Sequence, residues 1–125
     1  MLLDSNIIIY AAKPEHIGLR ELIAEKSPSV SAISQIEVLG YHRLTPTEKQ
    51  GFEAFFSASA VLPVSDAVIG TAIKLRQSRK MSLGDSIVAG TALTYDLTLI
   101  TRNTKDFEWI AALRLFNPFD DQGGQ

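Results

Sequence analysis

The chain has 125 residues, 46% hydrophobic and 21% charged, with a formal net charge of −2 and no cysteine. Its length suits one domain around a single core; the composition excludes a disordered or fibrous chain, and the lack of cysteine excludes disulfides, thiolate zinc sites and cysteine nucleophiles. The acidic balance excludes a generally basic nucleic-acid coat. With no basic leader and no apolar run of about 18 residues, the expectation is a cytoplasmic protein without a membrane segment.

Leu2 and Leu3 form a short apolar start that stops at Asp4, and the run IIIYAA after Asn6 continues until Pro14 interrupts it, which reads as strand, turn and short helix. Leu19, Leu22 and Ile23 recur at helical spacing over 18–26, and 29–32 supplies a short strand around Val30. Ser34 opens the next helix, which carries Ile36, Val38, Leu39 and Leu44. The sequence TPTE at 45–48 starts another, with Pro46 in its first turn. Phe52, Phe55 and Phe56 form a stripe on that helix, suited to a core or to a partner chain. Further on, 61–64 reads as a strand, 65–77 and 83–95 as helices, and 97–100 and 113–116 as strands.

Some five short strands interleaved with helices predict an α/β fold: a three-layer α/β/α sandwich around a central, mostly parallel five-stranded sheet. The expected organisation is one domain over 1–119 with a flexible C-terminal tail at 120–125. Open sheets of this kind bind ligands beyond the carboxyl ends of their strands, so the polar residues there become the candidates.

Asp4 stands at such an end, although it or Ser5 would equally serve as a helix cap. Glu37 shares a helix face with Ile33, Gly40 and Tyr41, where a charge is expensive unless it is paired or bound to metal; a long-range ion pair is the alternative. Asp85 shares a face with Val88, Ala89 and Ala92, and with Ser82 it also resembles a capping box. Asp106 and Asn103 lie in the polar segment after the fourth strand, where an acid is equally at home in an ordinary turn. Were these acids to converge, each close pair would cost roughly 4 kcal/mol at an effective dielectric near 20. A hard divalent cation, magnesium or manganese, offsets that repulsion. His16 and His42 lie far from most of the acids in sequence, so the nitrogen-rich set of a zinc site is absent. Arg76, Arg79 and Lys80, with Arg102 and Lys105, offer restricted basic patches to a polyanion, or simply a solvated helix end.

The segments LLDSNIIIY, SAISQIEVLGYHRL, MSLGDSIVAGTALTYDLTLITRNTKDF and LFNPF, in that order and spacing, resemble the PIN-domain family, and within it the VapC-like toxins of toxin–antitoxin pairs. The resemblance implies a magnesium- or manganese-dependent endoribonuclease, restrained by a cognate antitoxin and forming a homodimer. It places Asp4, Glu37 and Asp85 on the family's metal-binding acids, and Ser5 and Thr101 on its small polar positions. The family often has a fourth acid where this chain has Asn103, with Asp106 three residues later, so the fourth ligand stays open between them. A catalytically inactive PIN-like module that only binds protein is the competing expectation.

Overall fold

A computed structural model gives the fold of residues 1–119; the expected tail at 120–125 lies outside the described residues. Five strands, β1 (Leu2–Leu3), β2 (Ser29–Ser31), β3 (Val61–Leu62), β4 (Leu99–Ile100) and β5 (Leu115–Phe116), alternate with six helices. These are α1 (Ser5–Ala11), α2 (Ile17–Lys26), α3 (Ala32–Leu39), α4 (Pro46–Ala58), α5 (Asp66–Ser78) and α6 (Leu83–Thr94). The sheet order is β3-β2-β1-β4-β5 and every pairing is parallel. The chain builds outward from β1 on one side and then crosses to the other, so the order reverses between β1 and β4.

Side chains alternate across a strand, and even two-residue strands use this. Leu3 and Ile100 enter a core with Ile7, Ile8, Leu19, Val38, Phe52 and Phe56 from α1 to α4. Leu2 and Leu99 face the opposite way, into a core with Leu75, Val88, Ala89, Ala92 and Phe107. The expected three layers follow, with the aromatic stripe of α4 directed into the first core. On the second face, a Cβ at Gly90 would stand 3.0 Å from the Val68 carbonyl oxygen, so the missing side chain lets α6 lie close against α5.

Several boundaries differ from expectation. The strands at 61–64, 97–100 and 113–116 contract to two residues each. No turn separates β1 from α1, because Asp4 caps the helix directly. The third helix begins at Ala32 with Ser31 as its cap, rather than opening at Ser34, and it ends at Leu39, so Leu44 lies beyond it in a turn closed onto the Tyr41 carbonyl. The box expected at Ser82 forms in full at Thr45 and Glu48 instead, at the start of α4.

Candidate active site

Asp4 occupies the point where the strand order reverses. Its N–H donates to the Ile100 carbonyl at 2.9 Å, so the β1–β4 ladder runs up to the residue itself. One carboxylate oxygen, Oδ1, accepts from the Ser5 N–H at 2.8 Å and caps α1. The other, Oδ2, accepts from the Thr101 hydroxyl at 2.8 Å. Thr101 Oγ1 in turn accepts from the Asn103 N–H at 3.1 Å, tying the segment after β4 to the same carboxylate. Capping thus uses one oxygen of Asp4 and leaves the other directed at the neighbouring strand end. Burial pushes the Asp4 carboxyl up to about 6; the bonds from Thr101 and Ser5 oppose the rise, and the charges of Asp85 and Glu37 add to it.

Glu37 reaches the same place for a different reason from the one its sequence pattern suggested. Its residue is exposed, as are Ile36 and Tyr41, while Ser34 and Val38 form the buried face of α3. The expected costly apolar burial of Glu37 is therefore corrected: three- and four-residue spacing identified a helix face, but the wrong one was assigned to the interior. What holds the carboxylate is a relay. The Ser5 hydroxyl donates to Glu37 Oε1 at 2.7 Å and lies 2.8 Å from Ser34 Oγ; because Ser5 has one hydrogen and gives it to Glu37, the buried Ser34 must donate to Ser5. On its far side Glu37 lies against Gly84, where any Cβ would run into Oε2.

Asp85 sits in the first turn of α6 and is half-buried. The Ser82 hydroxyl caps the helix by accepting the Asp85 N–H at 3.1 Å. Burial raises the Asp85 pKa first, the charge of Asp106 next; Ser82 partly offsets this and Glu37 adds to it. Asp4, Glu37 and Asp85 therefore feel one another's charge, and Asp106 joins them through Asp85. Among the described residues, however, no three acids stand together as a ready-made metal cage. Glu37 and Asp106 are exposed, so their side chains can turn toward a shared ion. The donors are oxygens only. His16 packs on Tyr10 and Phe119 and His42 on Tyr41, outside the cleft. Such a set fits a hard cation with water completing its shell.

Arg76, Arg79, Lys80 and Lys105 line an open pocket of about 540 Å³ together with Asp85 and Asp106. Arg102 is placed differently: its guanidinium lies over the rings of Phe119 (4.5 Å) and Tyr10 (5.3 Å). Three residues of the site were not singled out from sequence for the part they play. The sequence pattern marks Ser34 only as a helix start, and it assigns no role to Trp109 or to Gly84 between Leu83 and Asp85. A glycine immediately before a candidate acid was the available signal.

The curated protein described as tRNA(fMet)-specific endonuclease VapC, from Shigella flexneri, is 29% identical over 124 residues, covering 90% of this chain and 93% of its own. Among solved structures, a toxin-antitoxin complex from Klebsiella pneumoniae aligns at 29% identity and TM-score 0.74 over 94% of this chain and 96% of that one. DNA-bound VapBC from Salmonella typhimurium shares the fold at TM-score 0.79 and 22% identity, over 92% and 95% of the two chains. The PIN domain family model matches residues 1–113, nearly everything from the first strand to the last, and the chain belongs to that family.

Proposed function

We propose that this chain is a divalent-metal-dependent endoribonuclease, hydrolysing RNA phosphodiester bonds as the toxin of a toxin–antitoxin pair. The observation that carries the reading is Asp4, held at the reversal of the sheet by Thr101 and in charge contact with Asp85 and Glu37. Asp4 and Asp85 would hold the cation, Glu37 would complete the set or orient water, and Asp106 or Asn103 would tune the remaining position. Magnesium or manganese held there would offset the acids' mutual repulsion and would ease the loss of a proton from the water that attacks phosphorus. Ser5 and Thr101 keep two carboxylates aimed, while Arg76, Arg79, Lys80 and Lys105 draw in the phosphates; Arg102 is the weaker member of that group, given its place over two rings.

The Shigella relative is named for tRNA(fMet), which makes transfer RNA the first substrate to try. The structural neighbours are complexes with antitoxins, and an apolar groove between α1, α2 and α4, lined by Ile8, Ala11, Ile23, Phe52 and Phe55, offers such a partner a seat. Ile36, Ile69, Ile73 and Leu83 are large apolar side chains left exposed, which fits a homodimer. No helix among the described residues is long and apolar enough to cross a membrane, and the cytoplasm, where RNA is abundant, is the place of action we propose.

The test is incubation of antitoxin-free protein with total RNA and either metal. Cleavage is expected, and Asp4→Asn or Asp85→Asn should lower it by about 100-fold or more, beyond what losing a supporting hydrogen bond around a metal costs. An intact protein that binds its partner yet leaves RNA whole would instead be a catalytically inactive PIN-like protein-binding module.

A further inference from the structure

The pocket beside the acids has a wall that phosphate binding leaves unexplained. Asp85 and Asp106 form one side and Arg79, Lys80 and Lys105 contribute to the lining, which also includes Trp109, the chain's single tryptophan. Trp109 is half-buried and packs against the core below β1 and β4. Its indole N–H, the ring's one polar group, donates to the Asp106 carbonyl at 3.0 Å. The ring is thereby fixed to the same short turn that carries the Asp106 carboxylate, with its polar edge already satisfied. The exposed guanidinium of Arg79 lies over the ring, its central carbon 5.6 Å from the centroid. A solvent-accessible cation thus stands over a half-buried ring.

An oriented aromatic face beside the acids, rimmed by cations, has the chemistry of a nucleobase subsite. Bases stack on such faces whatever their identity, because each has a π surface. Arginine suits the boundary, since its guanidinium both stacks on rings and binds phosphate. We infer that Trp109 is a base-stacking platform for single-stranded RNA: the base next to the scissile phosphate lies on the ring face that Arg79 covers, and Arg79 moves to the adjoining phosphate. This rests on the ribonuclease reading above and adds a nucleobase subsite to it. The platform places an unpaired nucleotide beside Asp85 and Asp106, so a flexible strand is favoured over a continuous duplex.

Because Trp109 is the only tryptophan, its fluorescence reports on the subsite in the unaltered protein. The probe is a short oligoadenylate in EDTA, compared with the same sugar–phosphate chain lacking bases. Saturable quenching by oligoadenylate and none by the base-free chain is expected. In a binding assay with labelled oligoadenylate, Trp109→Leu should weaken affinity roughly 5- to 150-fold, the range for one stacked base, while Trp109→Phe retains most of it. Cleavage of total RNA in manganese is measured on the same preparation. Cleavage without base-dependent quenching overturns the platform and leaves the nuclease assignment standing. Base-dependent quenching without cleavage sinks the nuclease assignment and keeps the platform as a binding site. Should Trp109→Leu misfold, the unaltered protein's response to the two probes still decides.

Discussion

The Thr101 hydroxyl donates to Asp4 Oδ2 at 2.8 Å across 97 positions of sequence. Thr101→Val preserves shape but leaves a buried carboxylate oxygen and the Asn103 N–H without their partner. The expected cost is about 1.5–3 kcal/mol in urea melts, as for a hydrogen bond to a charged group. Cleavage at neutral pH should fall with it, because Asp4 then keeps its proton to higher pH, and Thr101→Ser should recover both. A valine variant as stable and active as the parent would show that this bond positions nothing.

Gly84→Ala separates activity from stability. The new Cβ meets the Glu37 carboxylate, the free end of a flexible side chain, so Glu37 gives way rather than the backbone. Stability should stay within about 0.5 kcal/mol of the parent, as for most substitutions outside the core, and alanine's better helix propensity favours the variant. RNA cleavage should nevertheless drop. Retained activity would mean that Glu37 works equally well elsewhere.

Asp4 makes the metal-free protein sensitive to pH. Its folded pKa, about 6, lies above the ordinary carboxylate value. Its stabilising contribution is thus complete below about pH 4 and is lost as pH rises through about 6, on the order of 2–3 kcal/mol in all. Asp85 shifts in the same direction. In EDTA, melting temperature should decline from about pH 5 to pH 7, and Asp85→Asn should flatten the decline. Manganese should stabilise more at the higher pH, where the acids are ionised. A manganese effect independent of pH would contradict carboxylate ligation.

Arg102 and Lys105 should divide by phenotype. Arg102→Ala removes the cation over Phe119 and Tyr10 and should cost about 1 kcal/mol of stability. Lys105→Ala touches the pocket rim and should weaken RNA binding and reduce its salt dependence by about one charge, without altering thermal melting. If Arg102→Ala instead left melting unchanged and weakened RNA binding, its place over the rings would be incidental.

The layer order was legible in sequence because short apolar runs alternate with helical patterns from Leu2 to Phe116, and a parallel sheet is what such alternation builds. Asp4 was legible because it follows a strand whose end lies on the ligand-binding edge; Thr101 came only with the family resemblance, since a lone threonine after a strand carries no chemical signal of its own. Glu37 was found through a misplaced argument: α3 starts two residues earlier than its pattern suggested, and sequence spacing alone does not say which helix face turns inward. Gly84 and Ser34 escaped because each acts on another residue's side chain, a relation that exists only once α1, α3 and α6 are packed together. Trp109 escaped because it follows a short turn rather than a periodic element.

The central strand carries a consequence for biosynthesis. β1 leaves the ribosome well before β4, its partner on one side and the fourth of the five strands among the described residues. A nascent chain can place α1 beside α3 early, but the edge opposite Asp4 stays open until residues near 100 have been made. A nascent chain interrupted before residue 101 therefore lacks the Thr101 half of the cleft, and the fold itself delays assembly of an RNA-cutting centre until β4 has been translated.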